Sequence, residues 1–227
     1  MSTTTWIRWW PRRWPLSSAY RRDRRLIWWR FNQSKATSIR VAVHSLYAIL
    51  TRINGTYRVG LIQSHEGYGG TQEQSGQEVY RFDPETGDIR VVIRGMVCPN
   101  GLAFPDESVL YVGDTAGTHP TETYWPERHH HILAHDLVDG QATNARLFVE
   151  VSPGFPDGFR VAVHGDVWTS SGSGVQVFAP DGTCLGEINV PEAIGNLTFG
   201  GQDGSTLFTA ASTSLYRIEL NVRGATA

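Results

Sequence analysis

One pattern occurs three times in this chain: Pro99-Asn100-Gly101-Leu102-Ala103-Phe104, Pro156-Asp157-Gly158-Phe159-Arg160-Val161 and Gly195-Asn196-Leu197-Thr198-Phe199-Gly200. Each stretch sets an Asn or Asp at the mouth of an apolar strand. Each strand then leads through a turn to a second apolar strand, namely Val109 to Val112, Val167 to Thr169, and Thr206 to Thr209. A carboxamide or carboxylate returning at one structural position constrains the fold strongly. It asks for an architecture in which several repeats aim oxygen atoms at a common axis.

The rhythm around these motifs is regular. Val79 to Asp83 and Ile89 to Ile93 flank a turn, and the Asn100 strand and Val109 to Val112 follow. Ile132 to Asp136, Ala145 to Val149, the Asp157 strand and Val167 to Thr169 repeat that order. Val175 to Ala179, Cys184 to Val190, the Asn196 strand and Leu207 to Thr209 form a third unit, and Leu215 to Leu220 begins a fourth. Glu85-Thr86-Gly87-Asp88, Asp139-Gly140, Asp181-Gly182 and Asp203-Gly204 supply turns. The spacing between motifs is 57 residues and then 39, and an insertion from Ala116 to His130, placed between units, accounts for the longer gap. Four strands in about 40–45 residues is the period of a β-propeller blade. An ordinary β-sandwich is the alternative, but it gives no reason for the same Asn/Asp placement three times. The expected fold class is therefore all-β, a β-propeller.

In such a fold the innermost strand of each blade lines a central channel. Asn100, Asp157 and Asn196 then converge at one mouth of it. Oxygen donors of this kind suit a hard divalent cation such as Ca²⁺ or Mg²⁺, with Mn²⁺ or Zn²⁺ as less selective alternatives. Asp157 is the only acid at the three positions, which makes it the candidate general base. A turn role for Asn100 and for Asp157 in Pro-Asp-Gly is the competing reading. Asn196 has two readings, a channel-lining substrate contact or a strand cap. Asp114 has two readings, a residue that reaches the mouth and a loop-structural one, and the second is favoured. His129-His130-His131 resembles a metal tract, but an exposed strand start is favoured over metal binding, because adjacent residues of a strand face opposite ways.

Composition divides the chain. Residues 1–60 carry twelve Lys/Arg and one acid, Asp23, against eight Lys/Arg and twenty-one acids in the remainder. Six of the eight tryptophans precede residue 30. Trp/Arg-rich runs can bind phosphates or lipid interfaces, yet no helical or strand period is sustained there. This stretch is read as foreign to the fold, as a frame error or a misjudged exon boundary would leave it. Val41 to Val43 and Ser45 to Leu50 remain strand candidates within it. No nucleic-acid or membrane partner is expected. No apolar run approaches the ~18 residues of a membrane span, and no signal-peptide pattern is seen, so a cytoplasmic location is expected. Cys98 and Cys184 fit no zinc spacing, and each is read as a buried thiol.

The three motifs, with Pro105-Asp106-Glu107, Leu110-Tyr111-Val112, Asp114-Thr115, Gly165, Val167-Trp168 and Leu215-Tyr216-Arg217-Ile218, resemble the senescence-marker-protein, gluconolactonase and luciferin-regenerating-enzyme family. That resemblance implies a six-bladed propeller and a metal-dependent lactonase. It divides the chain into an atypical basic segment, 1–58, and a gluconolactonase-like propeller region, 59–227. It implies metal ligation by Asn100 and Asp157, with Asp157 also the general base. It places Glu66, in His65-Glu66-Gly67-Tyr68, in the loop that contacts substrate. The chain departs from the family pattern in three ways. The family's Glu-Gly-Pro metal motif is absent from residues 1–60, and Arg30-Phe31-Asn32-Gln33 is at most a remnant of its substrate loop. Ala162 stands where an acid is common. Six blades need roughly 250 residues or more, so the propeller is expected to be incomplete. The expected function is hydrolysis of a sugar lactone or related ester with a divalent cation and a small lactone as partner. The alternative is an inactive, truncated propeller acting as a binding module.

Overall fold

The computed structural model describes residues 47–53, 56–62, 77–82, 88–106, 108–116 and 129–225. Among these, every regular element is a strand. β1 (Tyr47–Ile53) and β2 (Thr56–Ile62) form an antiparallel hairpin that spans residue 58, and β3 (Val79–Phe82) pairs with β4 (Ile89–Ile93). β5 (Pro99–Asp106), β6 (Val109–Asp114), β7 (His131–Val138) and β8 (Gln141–Glu150) make a four-stranded meander. β9 (Phe159–Val161), β10 (Val167–Ser170), β11 (Gly174–Phe178) and β12 (Cys184–Asn189) make a second, and β13 (Ile194–Gly200), β14 (Thr206–Ala211) and β15 (Leu215–Glu219) a three-stranded sheet. No helix among the described residues is long and apolar enough to cross a membrane.

Burial grades from the first strand of each full sheet to the last. β5 begins with five buried residues, and β10 and β11 are buried throughout, whereas β8 and β12 are largely exposed. A strand buried on both faces reads as a continuous apolar run, and an edge strand reads as polar. Three apolar clusters lie between successive sheets. Val79, Ile93 and Met96 meet Leu102, Leu110 and Val112. Tyr111, Ile132 and Val149 meet Phe159, Val161, Val167 and Phe178. Trp168, Val175 and Val177 meet Leu197, Leu207 and Tyr216. The strand period of two explains the division: Leu110 and Val112 face one neighbour while Tyr111 faces the other. Each fully buried side chain of this size contributes about 1.5–3 kcal/mol.

These are blades of a β-propeller, with β5, β9 and β13 as innermost strands and β9 in contact with both of the others. Among the described residues the strands make two four-stranded sheets, one three-stranded sheet and two two-stranded hairpins. The all-β propeller expectation therefore holds.

Three finer expectations are corrected. Blades begin with the Asn/Asp strand instead of carrying it third: β5 and β6 pair onward with β7 and β8, not back with β3 and β4. In a meander every strand has a sequence neighbour on both sides, so periodicity fixes the repeat length but not where hydrogen bonding breaks. The Ala116 to His130 insertion consequently lies within a sheet, between β6 and β7, not between units. Cys98 is buried as expected, but Cys184 is exposed, because it opens the outer edge strand β12. Val41 to Val43, the Trp/Arg-rich runs and Glu66 lie outside the described residues.

Candidate functional site

Asn100 is the second residue of β5, and its approach is fixed by Asp114 at the end of β6. The Asp114 carboxylate is almost wholly buried. Its Oδ2 accepts the Val97 N–H at 3.0 Å, and its Oδ1 accepts those of Cys98 at 3.1 Å and Ala116 at 3.0 Å. Thr115 N–H donates to the Cys98 carbonyl at 2.9 Å. The segment leading into Asn100 is thus pinned by one buried carboxylate, in line with the loop-structural reading of Asp114.

Asp157 lies just ahead of β9. Its backbone N–H donates to Ser170 Oγ at 2.9 Å, and the Gly158 N–H donates to the same oxygen at 3.2 Å. Ser170 N–H returns a bond to the Gly158 carbonyl at 2.9 Å. Ser170, buried at the end of β10, therefore sets the backbone that carries Asp157. The sequence gives no sign of this, since a Ser closing an apolar strand has no distinctive pattern.

The structure brings Asn100 and Asp157 together: Asn100 Nδ2 donates to Asp157 Oδ1 at 2.8 Å. Two sheets separated by 57 positions in sequence meet at this bond. Glycines make the approach feasible. A Cβ on Gly101 would overlap the Asp157 carbonyl oxygen, and one on Gly113 would lie 2.7 Å from the Pro156 carbonyl oxygen. A Cβ on Gly158 would likewise overlap Asn196, and one on Gly195 would lie 3.6 Å from Asp157 Oδ2. The glycines after Asn100 and Asp157 are thus the surfaces on which Asp157 and Asn196 of the next repeat pack. Neither Gly101 nor Gly158 has a positive φ. The Asn-Gly and Asp-Gly pairs serve close approach between blades, not left-handed turns.

Asn196 sits in β13 beside a register shift between Ile194 and Asn196. Such a bulge re-aims a side chain at a strand start. Its Oδ1 accepts the Leu197 N–H at 2.8 Å, which is a local cap, while its backbone and carboxamide rest against Gly158. Asn100 is buried, and Asp157 and Asn196 are half-buried. The cluster combines one carboxylate and two carboxamides at the converging ends of β5, β9 and β13. A half-turn of the Asn100 amide presents Oδ1 in place of Nδ2, and an ion between the two strands then has an oxygen from each.

A second polar cluster lies one strand outward. Pro99 pairs with Asp114, and Asp114 with His131. His129 Nδ1 is 3.4 Å from Asp114 Oδ2, and the rings of His129 and His131 stack with centroids 4.7 Å apart. The alternation of adjacent His residues holds, but it places His129 and His131 on one side, a consequence that the reading of the triplet as a simple exposed strand start overlooked.

Comparison with known proteins identifies the family. The model of the SMP-30/Gluconolactonase/LRE-like region matches residues 52–213. Lactonohydrolase oryH of Aspergillus oryzae is 31% identical over 211 residues, covering 86% of this chain and 45% of that protein. Gluconolactonase of Zymomonas mobilis is 32% identical over 165 residues, covering 67% and 43%. The chain thus spans less than half the length of either relative. Among solved structures, the gluconolactonase XC5397 from Xanthomonas campestris superposes with a TM-score of 0.63 at 31% identity, covering 76% of this chain and 56% of that one. A calcium-binding regucalcin from Agrobacterium tumefaciens shares the fold at 19% identity, with a TM-score of 0.59, covering 79% and 62%.

Proposed function

The chain belongs to the SMP-30/gluconolactonase/LRE-like family, and from that premise we propose that it carries the lactone-hydrolysing mouth of a propeller enzyme. The substrate class is a sugar lactone or a related ester. The observation that carries the reading is the 2.8 Å contact between Asn100 and Asp157 across neighbouring blades. Named relatives that hydrolyse lactones support it.

The residues fit a divalent cation. Asn100 and Asp157 are close enough to share one ion, and they supply two of the roughly six to eight oxygens that Ca²⁺ takes. When bound, such an ion polarises the lactone carbonyl and stabilises the negative charge that develops on it. Asp157 takes the proton of the attacking water as general base. Before an ion binds, Asn100 holds the Asp157 carboxylate in place through its Nδ2 donor. Asn196, beside Gly158, contacts the sugar hydroxyls. Glu66 completes the substrate contacts from outside the described residues.

The test is gluconolactone hydrolysis followed by acid release, with Ca²⁺, Mn²⁺ or Zn²⁺ added and after chelation. Turnover should require the added ion and fall by at least about a hundredfold in Asp157→Ala, the range of a lost general base. Undiminished metal-dependent turnover in that variant would remove Asp157 from the role. A folded chain without turnover under any ion would favour the rival reading, a truncated propeller that binds small molecules at the same mouth.

A further inference from the structure

We infer that Asp114, His129 and His131 form a second metal site, built for a transition ion of the zinc or copper type and separate from the oxygen-lined mouth. This inference does not depend on the lactonase reading. One ligand atom from each of the three residues lies within 4.8 Å of the others.

Each residue is presented for a local reason. His130 Nδ1 donates to the Val151 carbonyl at 2.5 Å, and Val151 N–H donates to the His130 carbonyl at 2.8 Å. That anchors the middle His on the opposite side and leaves His129 and His131 facing the same way. Asp114 is held by its three backbone N–H bonds, two on Oδ1 and one on Oδ2. A carboxylate has about four lone-pair sites, so one remains, on the oxygen that faces His129. Backbone bonds of this kind orient a ligating carboxylate.

The spacing separates ligation from ordinary hydrogen bonding. The 3.4 Å between His129 Nδ1 and Asp114 Oδ2 is long for a charge-assisted hydrogen bond. It matches the edge, roughly 3.4 Å, of a tetrahedron with bonds of about 2.0–2.1 Å, as in zinc sites. Rotation of the partly exposed His131 ring brings its nitrogen to the third vertex. Two imidazoles and one carboxylate select Zn²⁺, Cu²⁺ or Ni²⁺ over Ca²⁺ and Mg²⁺, the reverse of the preference at Asn100 and Asp157. An ion here ties the end of β6 to the start of β7. Through Asp114 it also stiffens the Val97-Cys98 backbone that delivers Asn100.

The experiment titrates the full chain with Cu²⁺ and records electron paramagnetic resonance, with Zn²⁺ competition for affinity. Oxygen ligands alone give no nitrogen splitting, so the mouth is silent in this readout. One equivalent of Cu²⁺ should show imidazole nitrogen splitting. His129→Ala and His131→Ala should each weaken Zn²⁺ binding by more than about tenfold, in line with losses on disturbing a metal shell, and should reduce that splitting from a two-nitrogen to a one-nitrogen pattern. Asp157→Ala should leave both signals intact whatever it does to turnover. Zn²⁺ affinity unchanged in His129→Ala would overturn the site. His129 has its side chain 54% exposed, so its variant keeps the fold and decides the matter if His131→Ala does not.

Discussion

Ser170 Oγ accepts two consecutive backbone N–H groups, from Asp157 at 2.9 Å and from Gly158 at 3.2 Å, and so fixes the peptide that carries the proposed general base. Ser170 touches no substrate position; it is a positioning residue. Ser170→Ala removes the shared acceptor inside a buried strand end. Asp157 N–H keeps a bond to the Phe155 carbonyl at 3.2 Å, so the larger loss falls on Gly158. Stability should drop by about 1–3 kcal/mol, the cost of leaving a buried donor unpaired. Turnover of lactone should fall with little change in KM, since Asp157 moves and the substrate contacts stay. Urea unfolding and steady-state kinetics check both, and a variant equal to the parent in both would show that Phe155 alone suffices.

Gly101 predicts a different failure. Its missing Cβ is the space occupied by the Asp157 carbonyl oxygen, with Phe159 Cδ1 and Cε1 at 3.0 Å from the same point. A backbone atom cannot swing aside as a side-chain tip can. Gly101→Ala should cost about 1–3 kcal/mol by overpacking and should separate Asn100 from Asp157, abolishing metal-dependent turnover. Gly95→Ala is the contrast. Nothing lies within 4 Å of a Cβ there, but the φ of +80° strains any side chain. It should lose on the order of 1 kcal/mol from the backbone alone and retain turnover. Equal activity in both alanine variants would contradict the packing argument.

The Asn/Asp motifs were legible because a propeller repeats one contact per blade. Asn100, Asp157 and Asn196 fill one structural position, and local sequence sufficed to see it. The meaning of Gly101 and Gly158 was less accessible. Asn-Gly and Asp-Gly are turn signals by composition, and only the neighbouring blade shows that each glycine is a landing surface. The phase of the blades was hidden for a related reason, since β4 and β5 look no different in sequence from β5 and β6. Ser170 and the Asp114–His129–His131 cluster depend on strand register. Asp114 stands opposite His131 only because β6 and β7 pair across the insertion, whose length says nothing about which residues meet.

Glu192 links the turn before β13 to the β14–β15 connection. Its carboxylate accepts from Ser214 Oγ at 2.7 Å, Tyr216 Oη at 2.7 Å, and Thr213 N–H and Oγ1 at 2.8 Å. These bonds, the Ser214 hydroxyl first, hold its pKa at about 2, below the ordinary 4.5. A depressed carboxylate pKa means that the unfolded chain binds the proton more readily. The stabilisation is present above pH 4.5 and is lost as pH falls toward about 2. Glu192→Gln should flatten the acid limb of the stability curve in that window. Tryptophan fluorescence during urea titration at successive pH values measures it, and an unchanged limb in the variant would assign the acid response elsewhere.

His135 acts in a higher window. It lies buried in β7, and its Nδ1 has no hydrogen-bond partner among the described residues. Burial holds the imidazole pKa below the usual 6.5, against a backbone hydrogen bond with Leu110 that pulls the other way. The folded chain therefore resists protonation of a group that the unfolded chain protonates freely near pH 6.5. Stability is complete above that value and declines as pH falls below it, until the folded-state pKa is reached. His131 is shifted in the same direction by its own burial, so it too contributes to the parent's slope. His135→Leu fills the same apolar layer without a titrating group. The difference in thermal midpoint between about pH 7.5 and about pH 5.5, the range where His titrates, should be smaller in the variant than in the parent. An equal difference in both would remove His135 from the acid response.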